Sequence, residues 1–403
     1  MDARTLGLRL NKRLMFFTRL FLELKSLNAV IQLFYLSRGL TISQIVYLSL
    51  VWSATVLLCD VPSSFLADKF GRKKLIFAGI LLTSLQTFLM FFASGFSTFV
   101  FLYVIGAIGY SFFMGADHAL IYDSLKELKE QSGANRVAGK YFASTSLAKI
   151  FVPFIGSLIA KDLLPWQFII LIGIDFAGSI ISMIVATRLT EPKISVKAQE
   201  EFGVIRAGIK TILSDKTLFK IAMNKIIMFQ AAFVYWRIYQ VFLKGEGMPV
   251  VYLGAVYLFF QTTLFLAFWN AERLQKMIGI MNFVWGPQIL GFAAVILSMV
   301  SHNFLVLFLS AGALLVVGTV RDPFFMSQIQ ARLKSFNRAT TTSTLNTIKN
   351  ISDIPLILLI GYLAGVNITY VLVISAFLFA AASALTPIER RDLKIGKGEW
   401  ALT

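Results

Sequence analysis

The chain is a succession of long apolar runs separated by short polar intervals. Runs of about 20 residues, the length a helix needs to cross hydrocarbon, fall at 14–36, 43–66, 74–94, 99–122, 141–160, 167–188, 219–243, 250–270, 277–299, 304–328, 341–364 and 368–388. They predict an all-α membrane protein of twelve transmembrane helices, and an even number returns both termini to one side. The longest polar interval, Thr190–Lys220, predicts three parts. These are a six-helix bundle over 1–189, a linker over 190–218, and a second six-helix bundle with a tail over 219–403. Within the linker, Phe202, Ile205, Ile209, Ile212 and Leu213 recur at helical spacing and predict a helix lying at the membrane interface.

Composition agrees with that reading: 57% of residues are apolar and 15% charged, against about half and a quarter in soluble domains. Charge then sets the side. Of 38 Lys and Arg, with Lys74, Arg188 and Lys220 at run ends counted to the adjoining loops, seven lie within the runs (Arg19, Lys25, Lys149, Lys225, Arg237, Arg321 and Lys349) and three in the odd-numbered loops (Arg38, Lys161 and Lys244). The other 28 lie in the two tails and the even-numbered loops, which places both termini in the cytoplasm by the positive-inside bias. The net charge of +17 is thus an orientation device facing anionic lipid, and nucleic-acid binding is not expected. The basic opening Met1–Arg13 runs into the first apolar segment without a small-residue cleavage site, so no removable signal peptide is expected. A single cysteine, Cys59, excludes an internal disulfide. Asn367-Ile-Thr369 is a glycosylation triplet on an outer loop.

Between the second and third runs lies a short acidic and basic hairpin. Its residues Ala67, Asp68, Lys69, Gly71, Arg72 and Lys73 follow the signature hairpin of the major facilitator superfamily, with Ser64 where the family often has glycine. The chain resembles that family over nearly its whole length in topology. A displacement of 204 carries Ala67, Asp68 and Lys69 onto Ala271, Glu272 and Arg273, again between two runs. Lys149 and Pro153 find counterparts in Lys349 and Pro355. Such a period is what two parallel six-helix repeats give.

Charges inside spans cost about 2.5–3.5 kcal/mol each on insertion scales and so need a reason. The acids there are Glu23, Asp60, Asp117, Asp175, Asp322 and Asp353. Arg19, Lys225 and Asp60 lie near the cytoplasmic ends, where they are expected to snorkel. Helical spacing predicts pairing of Arg19 with Glu23 and of Lys349 with Asp353. Arg321 and Asp322 point to different faces and need partners elsewhere. Lys25, Lys149 and Arg237 have no local acid, which suggests a cavity with a positive bias that admits an anionic group; pairing with acids from other helices is the alternative.

The family resemblance implies that segments 1, 4, 7 and 10 line a central cavity. Glu23, Lys25, Asp117, His118, Arg237, Arg321 and Asp322 would then face it, with Lys149, Lys349 and Asp353 on helices between the halves. Asp117 beside His118 is the first candidate for proton coupling and Glu23 the second. The resemblance also implies a latch: Asp68 near the start of helix 11, Arg72 paired with Asp123, and a weaker second latch at Glu272 and Arg273, where Gln275 and Met277 replace the glycine and a basic residue. In segment five, Pro153 and Gly156 keep part of the stretch that family exporters carry.

These features together predict a secondary transporter of a small organic, anionic or amphiphilic solute, working by alternating access as a proton-linked exporter, in a bacterial or archaeal cytoplasmic membrane. The alternatives are an uptake carrier for an anionic nutrient, and a membrane scaffold or receptor that kept the fold. No enzyme activity is expected, and no cofactor, because no phosphate-binding loop occurs. No metal is expected either, His118 and His302 being too few and too far apart. A monomer is expected.

Overall fold

The computed structural model describes residues 2–130, 134–193, 210, 212–332 and 338–393, apart from the side chains of Val61, Ser64, 134–136, 138–140, 142–143, Ala271, Glu272 and 338–343. No strand occurs among them. In chain order the helices are α1 (Ala3–Leu22), α2 (Ile31–Ser37), α3 (Ile42–Phe70), α4 (Arg72–Leu89), α5 (Phe96–Glu127), α6 (Ala134–Ile159), α7 (Pro165–Thr187) and α8 (Lys216–Trp236). There follow α9 (Tyr239–Gly245), α10 (Val250–Trp269), α11 (Ala271–Ile278), α12 (Ile280–Val300), α13 (Phe304–Val317), α14 (Asp322–Gln330), α15 (Arg338–Val366) and α16 (Ile368–Leu385).

Among the described residues nine helices are long and apolar enough to cross a membrane. The three remaining expected runs differ for identifiable reasons. The 14–36 run is interrupted: α1 stops at Leu22, a 3-10 turn occupies Ser26–Ala29, and α2 starts at Ile31. Helix α4 is 18 residues long and opens with Arg72-Lys73-Lys74, so its uncharged part is shorter than a full span. In α6 the apolar stretch among the described residues is Ser144–Ile159. Two further runs are also interrupted, 219–243 at Arg237–Ile238 between α8 and α9, and 304–328 at Gly318–Arg321 between α13 and α14. The expected interfacial helix of the linker falls mostly outside the described residues; Ile212 is buried and Leu213 exposed.

Local chemistry starts the helices. Thr41 and Gln44 form a reciprocal cap on α3, with Gln44 N–H donating to Thr41 Oγ1 at 3.3 Å and Thr41 N–H to Gln44 Oε1 at 2.9 Å. Asp215 caps α8 by accepting from Thr217 N and Leu218 N. Asn367, the first residue of the glycosylation triplet, accepts from Thr369 N and caps α16.

The helices sort into two compact units, Met1–Gln199 with Pro249–Leu258 and Glu200–Met248 with Phe259–Thr403. In the first, α4 packs on α5 and α7, α3 on α5, and α1 on α6 and α7. Met15, Ile76, Ile80, Phe113, Leu120 and Tyr141 form part of its core. In the second, α8 packs on α16, α12 on α13 and α16, and α15 on α16. Its core includes Ile221, Phe283, Val284, Phe325, Ile329 and Ile388. Lipid tails are as apolar as leucine, so close fit and interhelical polar bonds hold such helices together. Examples are Ser182 Oγ to the Thr18 carbonyl at 2.8 Å and Ser375 Oγ to the Ala231 carbonyl at 2.7 Å.

Candidate functional site

The hairpin of the first unit is closed by a residue the sequence did not single out. Helix α3 ends at Gly71, whose φ of +101° is a region L side chains rarely adopt, and α4 begins at the next residue. The first N–H groups of a helix have no internal acceptor. Here Glu191, beyond the end of α7, takes Arg72 N–H on Oε1 and Lys73 N–H on Oε2, each at 2.8 Å. A carboxylate at a helix N-terminus also meets the positive end of the dipole. The Arg72 guanidinium is buried and pairs with Asp123 on α5, while its Nη2 stands 3.5 Å from Asp68. Lys69 lies over the Phe70 ring. Of the second expected latch, Arg273 is exposed, and the Glu272 side chain lies outside the described residues.

The interruption of the first span has a specific cause. No proline or glycine lies between Leu22 and Val30. Instead Asp175 on α7 is buried against the turn, with Oδ1 accepting Ser26 N–H at 2.6 Å and Ser26 Oγ at 2.7 Å and Oδ2 accepting Leu27 N–H at 3.4 Å. Gly156 on α6 gives the turn room: a Cβ there would stand 1.9 Å from the Ser26 carbonyl oxygen. The turn leaves Glu23 at the end of α1 and Lys25 just beyond it.

Around that turn the polar side chains form one buried cluster. Arg19 is its hub, in place of the snorkelling role expected for it, with a side chain only 12% exposed. It pairs with Glu23 at 2.8 Å, approaches Asp117 at 3.7 Å, donates to Thr145 Oγ1 at 3.1 Å, and lies over the rings of Phe113 and Tyr141. Lys149 stands 3.7 Å from Glu23 on another helix, which is the interhelical pairing given as the alternative to a free cation. Asp117 is fully enclosed, accepting the Tyr141 hydroxyl and the His118 N–H, with the His118 ring packed edge-on against Tyr141. The formal charges of Arg19, Lys149, Glu23 and Asp117 cancel. Lys25 makes no ion pair among the described residues, and its charge acts on Asp175.

The second unit has its own cluster, where α8 ends. Arg237 is the C-cap of α8, a position where a cation meets the negative end of the helix dipole. Its Nη2 donates to Asp353 on α15 at 2.6 Å, and its guanidinium lies 4.8 Å from the Phe233 ring centre. Arg237 therefore has an acid after all, and it is the acid that spacing assigned to Lys349. Lys349 lies instead over the Phe229 ring at 4.6 Å and makes no ion pair among the described residues. Asp322 pairs with Lys225 at 3.0 Å. Arg321 is structural in character: Nη1 donates to the Val284 carbonyl at 2.7 Å, Nη2 to Asn224 Oδ1 at 3.2 Å, and the guanidinium covers Phe325. Asn224, which had not been singled out, joins α8 to α16 through the Ala382 and Thr386 carbonyls.

A cavity of about 880 Å³ lies apart from both clusters, beside the N-terminal part of α1, lined by Arg9, Lys12, Arg13, Phe16 and Phe17 among others. Its largely apolar, open wall makes it a surface groove of the first unit.

The hairpin, the all-helical units and the buried charges within spans are features of one class of membrane transporter. The sequence matches the Major Facilitator Superfamily over residues 15–355, and the chain belongs to that family. The fold is similar to that of a mutant of the nucleoside transporter NupG, with a TM-score of 0.78 at 12% identity over 94% of this chain and 98% of that one. It is also similar to a bacterial homologue of the human lysosomal transporter Spinster in an inward-facing, unoccupied conformation, with a TM-score of 0.69 at 14% identity over 98% of this chain and 99% of that one. No curated protein sequence matches the chain significantly.

Proposed function

We propose that the protein is a secondary active transporter that moves a small amphiphilic organic solute by alternating access, linked to protons, with export favoured over uptake. The observation that carries the proton linkage is the enclosed Asp117, held by the Tyr141 hydroxyl and flanked by Arg19 and His118. A carboxylate so placed keeps its charge only while its partners stay in place, so movement of α1 or α6 against α5 changes its affinity for a proton. Asp123 with Arg72, and Glu191 on the hairpin backbone, would hold one gate closed in the same cycle. The paired state of Lys149 supports a solute with no net charge on the first unit's side. One structural neighbour is a nucleoside transporter, which supports a polar aromatic cargo. Partial retention of the exporter stretch at Pro153 and Gly156 supports the outward direction.

The test is reconstitution of the purified protein in vesicles loaded with a pH-sensitive dye, screened against zwitterionic, anionic and neutral amphiphiles and nucleosides. A solute that evokes proton movement in the wild type, with movement abolished and solute binding retained in Asp117→Asn, supports the reading. Solute flux that ignores the proton gradient, and that Asp117→Asn leaves unchanged, overturns it.

A further inference from the structure

The second unit places an unmatched cation beside a row of aromatic rings. Along α8 and its break, Phe229 and Phe233 stack with centres 4.7 Å apart and planes 22° apart, Phe233 and Trp236 follow at 6.4 Å and 22°, and Trp236 and Tyr239 at 5.4 Å and 28°. Phe229, Phe233 and Trp236 recur at the spacing of one helical face, and all three are half-buried. Lys349 caps one end of the row and Arg237 lies over its middle. That face is not a lipid surface, because an ammonium near the middle of a spanning helix is costly in hydrocarbon.

The charges do not balance there. Arg237 takes the single carboxylate of Asp353 and Asp322 is held by Lys225, which leaves Lys349 as the cation without an acid of its own among the described residues. Arg237 is also incompletely bonded, with a side chain only 2% exposed and Nε and Nη1 buried without a partner. Asp353 Oδ1 is likewise without one, so a small rotation would close Nε onto it in a two-point bridge. Nη1, at the other end of the guanidinium, has no such acceptor to close on. Buried donors of this kind are costly unless some state of the protein satisfies them. Gln230, hydrogen-bonded to Ser352 Oγ at 2.8 Å and to the Lys349 carbonyl, fixes the turn of α15 that carries the lysine.

We infer that this cluster binds a planar aromatic monoanion, the ring lying along the Phe229–Phe233–Trp236 face and the anionic group taken by the Lys349 ammonium and Arg237 Nη1. One surplus positive charge selects one negative charge. The stacked rings present their edges along the row, and a ring edge packs against the face of an aromatic body better than against an aliphatic one. The inference rests on the transport reading for its biological use, while its binding test needs neither a gradient nor turnover.

Binding to the purified full-length protein is measured by calorimetry with 1-naphthoate and indole-3-acetate, their ring-saturated carboxylates, 1-naphthylmethylammonium and the neutral 1-naphthalenemethanol. The aromatic anions are expected to bind at least about tenfold tighter than each of the others, and Lys349→Gln to weaken them about tenfold. Phe233→Leu should weaken the aromatic anions and leave the saturated ones unchanged. Melting curves of both variants confirm that they fold. Absence of binding by the aromatic anions, equal binding of the neutral or cationic naphthalene, or an unchanged affinity in a folded Lys349→Gln overturns the site. Selective binding without flux in vesicles would leave the site standing and remove the transport reading. Flux of another solute that no aromatic anion competes for would do the reverse.

Discussion

Asp175→Ala isolates what holds the first span open at Ser26. The wild-type carboxylate takes three donors from the turn, two of them short, at 2.6 and 2.7 Å, and one long, at 3.4 Å. After truncation the Ser26 hydroxyl still has the Leu171 carbonyl at 3.2 Å, but the Ser26 N–H has no other acceptor. An orphaned buried donor costs about 1–3 kcal/mol. With the lost charge-assisted hydroxyl bond and the weak Leu27 contact, the sum is about 2–4 kcal/mol. Asp175→Asn keeps an oxygen for both Ser26 donors and turns an amide NH2 toward the Leu27 N–H, so it should cost less, about 1–2 kcal/mol. Equilibrium unfolding in mixed detergent micelles, followed by circular dichroism, gives the two differences, and hydrogen exchange at the Ser26 and Leu27 amides localises them. If Asp175→Ala unfolds with the wild type and its Ser26 amide exchanges no faster, the carboxylate is not what holds the turn.

Three further outcomes follow from the same geometry. Gly156→Ala places a methyl group 1.9 Å from a backbone oxygen that cannot swing away, so α6 must separate from the turn; the variant should unfold several kcal/mol earlier in the same assay. Gly71→Ala combines a φ of +101° with a Cβ 3.1 Å from the Glu191 carboxylate, and a loss of about 1–3 kcal/mol should accompany faster exchange at the Arg72 and Lys73 amides. The last outcome concerns pH. The Lys12 ammonium, 2.7 Å away, holds the Glu130 carboxyl below its ordinary range; at Asp392 burial pushes the other way, but Lys220, also at 2.7 Å, the Glu389 N–H and the Arg391 charge together outweigh it and lower that carboxyl too. Both pairs therefore stabilise the fold fully above the unfolded carboxyl values of about 4 and lose that contribution as pH falls through the lower folded ones. Melting temperature measured from pH 7 to pH 3 should drop in the acid window, and less so in a Glu130→Gln, Asp392→Asn double variant.

The order of the helices was legible in the chain because an apolar run of membrane-spanning length has few alternatives to a helix once backbone groups must be satisfied without water. The hairpin was legible because its own residues lie within a few positions of one another: Gly71 sets the turn, and the acid for Arg72 sits near the end of the next helix, α5. Arg19 with Glu23 lies one helical turn apart and could be paired by counting. What counting could not supply was partnership between distant helices. Spacing gave Asp353 to Lys349, four residues before it, but packing of α8 on α15 gave it to Arg237, 116 residues away. That choice left Lys349 on an aromatic ring. Asp175 and Glu191 looked like an isolated buried acid and a loop residue, because the N–H groups they satisfy belong to a turn and a helix start far off in the chain. The breaks at Ser26 and at Arg237–Ile238 carry no proline or glycine to announce them, unlike the one at Gly318–Arg321. A run of apolar residues fixes that a segment crosses the membrane; where it is interrupted depends on which neighbouring side chain can accept the freed backbone groups, and only the tertiary structure decides that.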